Sequence, residues 1–170
     1  MSNSDDSRAR DRLAVMAGID VDNPELRRRL DAISARTAER LHQPVSLVSM
    51  VLDTAQFFPG SHGLDGWLAE LHGTPGEWSF CATAVRTGRA YVVPDATIDP
   101  DQATNPLVTV DGVRSYAGVP VIVDGHVMGA HCVLGFDQHT FTPADLAELQ
   151  DGAAEIGELL QSYRRGDTPA

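Results

Sequence analysis

Two cysteines and one strand histidine are the residues of this sequence most able to carry chemistry. Cys81 lies in a short predicted helix and Cys132 in the middle of a predicted strand. Thiols in such places usually pack as small hydrophobic groups, so we expect both to be buried and not joined by a disulfide. The alternative is a redox pair, which requires an accessible, electropositive site. His131 is a conceivable axial ligand for a haem, and its other interpretation is a strand histidine held by a local hydrogen bond.

The remaining polar clusters fit structural roles better than catalytic ones. Asp95, Asp99 and Asp101 have spacings that could surround a cation, but they lack the EF-hand pattern, so we expect loop capping. Ser61 and His62 are adjacent in a predicted turn, whereas a catalytic triad needs its base held by a third group elsewhere in the fold. The sequence contains none of the patterns GxSxG, HExxH, CxxC and GxGxxG. We therefore predict no catalytic residue.

Charge and composition narrow the classes of function. The chain has 170 residues, with 24 acidic and 13 basic side chains and a net charge of −11. All the basic residues are arginine, which excludes Schiff-base lysine chemistry and a Walker lysine. A body this acidic is a poor partner for nucleic acid or anionic membranes. There is no secretory signal and no apolar run of 18 residues, so we expect a cytoplasmic protein with reduced thiols.

Two long amphipathic helices are predicted near the ends of the chain. One spans 24–41, with Asn23 as N-cap and Pro24 in the first helical position. The other runs from Thr142 to Tyr163 and has apolar residues at alternating steps of three and four, a heptad seam. We expect 1–22 to be a flexible tail, 23–165 to be one domain and 166–170 to be a short C-terminal tail.

The segments between these helices are mostly strands and loops. Apolar, β-branched runs at 45–52, 90–93, 116–123 and 126–136 predict strands, and Phe57 lies in a less clear one. Asp124 and Gly125 separate two of these runs and indicate a two-residue hairpin. No regular βαβ alternation is present. The sequence therefore predicts an α+β domain with a central antiparallel sheet of five or six strands and helices on both faces.

Several motifs, taken in order, resemble the GAF domain family. They read SFCATAVRTGRAYVVPDATIDP from Ser79, NPLVTVDGVRSYAGVP from Asn105, GHVMGAHCVLG from Gly125 and FTPADLAEL from Phe141. The resemblance covers about 24–165 and is strongest to GAF domains of bacterial signalling proteins. It implies a sheet with a small-molecule pocket on one face and dimer-forming terminal helices on the other.

The resemblance also bears on enzymatic activity. One branch of the family reduces free methionine sulfoxide and is similar to this chain around Cys81. The catalytic cysteine of that branch corresponds to the segment 105–108, which has no cysteine, and its pocket acid corresponds to Tyr116. We therefore expect a non-enzymatic sensory or regulatory protein. The alternatives are a thiol-based redox sensor or reductase that uses Cys81 and Cys132, and a haem-based gas sensor.

Two further expectations concern binding. The partners implied are a small molecule of unknown identity and a second copy of the chain, the latter through the helices Pro24–Leu41 and Thr142–Tyr163. We expect a largely apolar pocket with a few polar groups that orient the ligand. The residues predicted to line or border it are Phe57, Trp78, Phe80, Cys81, Val108, Tyr116 and Cys132.

Overall fold

A computed structural model of this chain describes residues 2–52 and 55–165. Within those residues it contains six α-helices and six β-strands. The helices are α1 (Ser2–Ala17), α2 (Pro24–Leu41), α3 (Gly66–Leu71), α4 (Cys81–Thr87), α5 (Pro106–Thr109) and α6 (Pro143–Ser162). The strands are β1 (Val45–Val51), β2 (Ala55–His62), β3 (Gly73–Pro75), β4 (Tyr91–Val93), β5 (Ser115–Val123) and β6 (His126–Gly135).

The strands form one sheet between two layers of helices. Its order is β3-β2-β1-β6-β5-β4, and every neighbouring pair is antiparallel. The long helices α2 and α6 pack on one side, which we call the helix face. The short helices α3, α4 and α5 cover the other side, which we call the cavity face. This arrangement confirms the predicted α+β fold with a six-stranded sheet.

Both long helices begin at the caps that the sequence predicts. The Asn23 side chain accepts hydrogen bonds from the backbone N–H groups of Glu25 and Leu26, at 2.9 and 3.3 Å. Thr142 and Asp145 form a reciprocal capping box at the start of α6. None of the helices in the described part of the chain has the length and apolarity that a bilayer span requires.

The heptad seam of α6 faces its own sheet. Leu149, Ile156 and Leu160 have no exposed surface, and all three lie in the core of the helix face. The apolar stripe of α2, including Leu26 and Leu30, fills the same core. The seam is therefore used within the chain, and the dimer expected through α2 and α6 stays a prediction. A two-layer domain needs these side chains to cover its sheet.

The N-terminal segment differs from the expected tail. Residues Ser2–Ala17 form helix α1, and Val15, Met16 and Ile19 are buried in the core of the helix face. Ile19 also forms a β-bridge with Arg164, beyond the end of α6. The packed domain thus begins before residue 23, because three apolar side chains secure the segment that precedes α2. The predicted C-terminal tail, 166–170, lies outside the described residues.

Strand β2 is longer than the sequence suggested. It continues through Pro59 and Gly60 to His62, so Ser61 and His62 lie at a strand end and not in a turn. A Cβ atom at Gly60 would lie 2.5 Å from the Cβ atom of Leu30, which shows how closely α2 crosses this strand. Gly60 is therefore required by the approach of the helix.

The β5–β6 hairpin agrees with the Asp-Gly prediction. Asp124 and Gly125 have φ values of 53° and 77°, as a two-residue turn of this type requires. Pro120 lies beyond the short strand β4, which pairs only with residues 116–118, so β5 is paired at Pro120 with β6 alone.

His131 links three elements on the helix face. Its Nδ1 lies 3.0 Å from the carbonyl oxygen of Leu47, and its Nε2 lies 2.8 Å from the hydroxyl of Thr37. A carbonyl only accepts, so Nδ1 carries the proton and Nε2 accepts from Thr37. Burial lowers the pKa of His131 to about 4. The ring points away from the cavity face with both nitrogens in use, so it is not available as an axial haem ligand.

The lowered pKa of His131 predicts a loss of stability on mild acidification. The unfolded chain takes up this proton near the ordinary pKa of 6.5, whereas the folded chain resists it down to about pH 4. We expect the free energy of unfolding to fall by about 2 kcal/mol between pH 7 and pH 5. His131→Asn should have a lower free energy of unfolding at pH 7, measured by urea titration. That free energy should change less between pH 7 and pH 5 than it does in the wild type. An equal pH dependence in the two proteins would contradict the assignment.

Candidate functional site

A small, partly open cavity lies between the cavity face and the short helices. Its volume is about 30 Å³, which is room for about one water molecule. Strands β1, β2, β5 and β6 form its floor, and Leu64, Leu68 and Leu107 form its roof. The full set of lining residues is Leu47, Gln56, Phe58, Leu64, Leu68, Thr74, Phe80, Cys81, Leu107, Val113, Tyr116, Cys132 and Leu134.

Four of the seven residues expected at the pocket line this cavity. They are Phe80, Cys81, Tyr116 and Cys132. Trp78 and Val108 pack in the apolar cluster around the cavity but are not part of its wall. Phe57 contacts the core of the opposite, helix face, so its placement at the pocket was wrong.

The error at Phe57 is one of strand register. Successive side chains of a strand point to opposite faces, so Gln56 and Phe58 reach the cavity while Phe57 does not. The irregular pairing of β1 with β2 between Val48 and Met50 hides this parity from the sequence. Sequence reasoning also missed the roof leucines, whose only signal was an apolar pattern in 64–71.

A cluster of two thiols and one phenol lies at the floor of the cavity. The sulfur atoms of Cys81 and Cys132 are 3.8 Å apart, and the hydroxyl of Tyr116 donates to the Cys81 sulfur at 3.1 Å. Both cysteines are free and buried. Hydrogen bonds from Cys132 and Tyr116 lower the pKa of Cys81 against the effect of burial, whereas burial raises the pKa of Cys132. Of the two, Cys81 is the sulfur better able to ionise.

Tyr116 is held in place by neighbours on both sides. Its ring stacks on Phe80 with a centroid separation of 5.1 Å, and Tyr91 lies 5.7 Å away in a tilted arrangement. A Cβ atom at Gly118 would lie 2.1 Å from the Tyr116 hydroxyl oxygen, so the ring lies directly over that glycine. Burial raises the pKa of Tyr116 well above its ordinary value, which keeps the hydroxyl a proton donor.

Gln56 organises the polar part of the cavity wall. Its Oε1 accepts hydrogen bonds from the hydroxyls of Ser79 and Ser49, at 2.6 and 3.3 Å, and its Nε2 donates to Thr74 at 2.6 Å. The Ser79 hydroxyl also accepts a hydrogen bond from the backbone N–H of Ala82 at the start of α4. The network therefore ties α4 to strands β1, β2 and β3.

The acidic loop is built by ion pairing and capping. Arg114 donates to both carboxylate oxygens of Asp95 at 3.1 Å, and this contact, with that from Thr97, lowers the pKa of Asp95 to about 2. Asp99 accepts the backbone N–H groups of Asp101 and Gln102. No group of three or more potential metal ligands occurs among the described residues. Asp95 and Asp99 thus have the capping roles predicted for this loop.

A six-stranded antiparallel sheet with long helices on one face and short helices over a small cavity on the other is an α+β domain. The GAF domain family model matches residues 25–160, and the chain belongs to this family. GAF domains serve in general as sensory and regulatory modules, which agrees with the broad role expected from the sequence.

The similar proteins include a GAF domain of a larger enzyme and proteins named as enzymes themselves. Over 137 residues the chain is 34% identical to a cyclic di-GMP phosphodiesterase of Pseudomonas aeruginosa, a match of 79% of this chain and 22% of that protein. The chain thus spans about a fifth of that relative's length. The GAF domain of an Acinetobacter phosphoenolpyruvate-protein phosphotransferase has a TM-score of 0.65 at 16% identity, covering 94% of each chain.

A second similar structure is the type II free methionine-R-sulfoxide reductase of Thermoplasma acidophilum. Its TM-score is 0.66 at 15% identity, over 82% of this chain and 94% of the reductase. At these identities the two structural matches establish the fold alone.

The burial of both sulfurs predicts slow reaction with thiol reagents. We expect the native chain to label with Ellman's reagent at least about a hundredfold more slowly than the chain in denaturant, because labelling requires local opening. In Cys132→Ala, Cys81 should react with the reagent as slowly as it does in the native wild-type chain. Rapid labelling of Cys132 in the folded protein would contradict its burial.

Proposed function

We propose that this chain is a non-enzymatic regulatory GAF domain of the cytoplasm that binds a small molecule in the cavity of Tyr116 and Gln56. The observation that carries the proposal is the cavity itself, which combines apolar walls with a few convergent polar groups. Its signal passes to other proteins or domains through the terminal helices α1, α2 and α6.

The cavity requires an opening of its roof to accept a ligand. Pockets for small molecules have volumes of about 300–1,000 Å³, far above the present 30 Å³. The roof consists of helices of six and four residues, with Leu64 and Leu68 only half-buried. Such short helices are held by few contacts and can move at small cost. Ligand binding therefore couples to the position of the roof.

The chemistry of the cavity wall supports binding over catalysis. Its polar side chains are an amide, a hydroxyl, a phenol and two thiols. No carboxylate and no histidine lines it among the described residues, and the groups able to transfer a proton there are one phenol and two buried thiols. The segment 105–108, where the reductase branch of the family has its catalytic cysteine, supplies Leu107 to the roof instead.

Filling the cavity should abolish ligand binding. We expect native mass spectrometry of freshly purified protein to show a mass above that of the polypeptide, lost on denaturation. Leu68→Trp should remove this mass because the indole occupies the space beneath the roof. Leu146→Trp, an equal change at a half-buried leucine of α6, is the control and should retain it. Absence of any added mass from the wild-type chain would count against the proposal.

The outer side of α2 and α6 supplies a surface for a second copy of the chain. The two helices enclose a groove of about 610 Å³. Arg29 and Arg36 lie on its α2 side, whereas Glu155 and Glu158 lie on its α6 side. Within the chain Arg36 pairs with Glu155 and Arg29 with Glu25, so a second copy would exchange these partners. A two-fold axis along the groove would place the basic side of one copy against the acidic side of the other. The expected homodimer thus uses this charged groove and not the buried seam.

A charge placed in the groove should dissociate this dimer. Leu159 lines the α6 side of the groove and is half-buried, so Leu159→Arg places a cation opposite the arginines of the second copy while the core remains intact. We expect light scattering to report a dimer for the wild type, and the dimer of the variant to dissociate at a protein concentration at least about tenfold higher. Ile122→Arg, with the same charge change at a residue 55% exposed on β5, should dissociate at the wild-type concentration. A wild-type chain that is monomeric at high micromolar concentration would contradict the proposal.

A second candidate function is a thiol-based redox sensor. The 3.8 Å contact between the sulfurs of Cys81 and Cys132, with Tyr116 donating to Cys81, is the observation that favours it. Two electrons lost to a peroxide would join the sulfurs in a disulfide and release water. Loss of two thiols per chain on peroxide treatment, prevented in Cys81→Ser, would favour this candidate over the first.

A further inference from the structure

A cluster of three arginines lies at the end of the domain where α1 meets α4. Arg8 and Arg12 are four residues apart on α1 and so share one side of that helix. Arg86 lies in the last turn of α4. All three line the same two adjoining clefts, whose volumes are about 320 and 270 Å³. The clefts share these arginines and Val85 but none of the lining residues of the central cavity.

The charges of this cluster are unusual for the molecule. The whole chain has a net charge of −11, yet no carboxylate lines either cleft among the described side chains. Six other arginines form ion pairs, whereas none of these three does so within the part of the chain whose side chains are described. Like charges on walls without carboxylates create a positive local potential, and Glu77 and Asp101 meet Arg86 only in a separate cleft.

Arg12 adds an unsatisfied donor. Its Nε is buried and has no hydrogen-bond partner among the described groups. A buried donor without a partner costs free energy, and an acceptor that enters the cleft would remove that cost. Guanidinium groups bind phosphate with paired, charge-assisted hydrogen bonds, which makes an anion the fitting acceptor.

The wall beside the arginines is apolar. The larger cleft is lined by Val51, Leu52, Ala82 and Val85 in addition to the charged groups. Inorganic phosphate has no part that could contact this wall, whereas an organic phosphate ester has one. Because α1 and α4 both contribute, a ligand there would also connect the N-terminal helix to the helix that carries Cys81.

We propose that Arg8, Arg12 and Arg86 form a second binding site, separate from the central cavity, for a small organic phosphate. The phosphate group binds the three guanidinium groups, and the organic part lies on the wall of Val51 and Val85. The site would fix α1 against α4 and thus make the position of the N-terminal helix depend on the ligand.

The test is calorimetric titration of the full chain with phenyl phosphate and with inorganic phosphate. Phenyl phosphate should bind saturably and at least about tenfold more tightly, because its ring buries apolar surface on the wall. Arg86→Gln should weaken this binding at least about tenfold, since it removes charge-assisted hydrogen bonds. Arg89→Gln is the matched control, because Arg89 is exposed, lies three residues away and lines neither cleft; its affinity should stay within about twofold of the wild type.

Three results would overturn the proposal. They are no saturable binding of phenyl phosphate up to about 10 mM, an equal loss of affinity in Arg86→Gln and Arg89→Gln, and equal affinities for the two phosphates. Arg12→Gln should also weaken binding, and circular dichroism shows whether α1 remains helical in that variant. Arg86 lies on α4, so Arg86→Gln still tests the phosphate site if Arg12→Gln unfolds α1.

Discussion

The central strands must bury side chains on both of their faces, and the two faces are covered in different ways. Every residue of β1 is buried, as are the last eight of β6. On the helix face, helices of 18 and 20 residues lie along the sheet and fill the layer completely. On the other face, helices of four to seven residues cover the same area in pieces. Short helices leave gaps where they meet, which is why the cavity lies on that side.

Local chemistry made the elements of this fold predictable. The Asn23 and Thr142 caps, the Asp124–Gly125 turn and the apolar strand runs each depend on residues close together in the chain. The positions of Cys81, Cys132 and Tyr116 at one site followed from the family motifs, whose order fixes which strands are neighbours. The caps, the turn and the strand runs need no knowledge of distant contacts.

What could not be predicted depends on packing between distant segments. Phe57 and Phe58 are equally apolar, and only the irregular pairing of β1 with β2 decides which of them faces the cavity. The seam of Leu149 and Leu160 has the same spacing whether its partner is a sheet or another chain, so the pattern cannot distinguish them. The burial of Val15 on α1 likewise depends on the neighbouring surface. The three buried apolar residues at the end of this charged helix are too few to show a helical periodicity in the sequence.

The close contact of Tyr116 with Gly118 couples the substitutions that the two positions can accept during evolution. A side chain at 118 would collide with the phenol, so it could arise only in a chain whose residue 116 had already become small. A small residue can replace Tyr116 first, because losing the ring only leaves space above an unchanged Gly118. Such a chain would have a larger cavity whose floor is Cys81 and Cys132. Related domains with different ligands could therefore diverge first at 116, with 118 free to vary only afterwards.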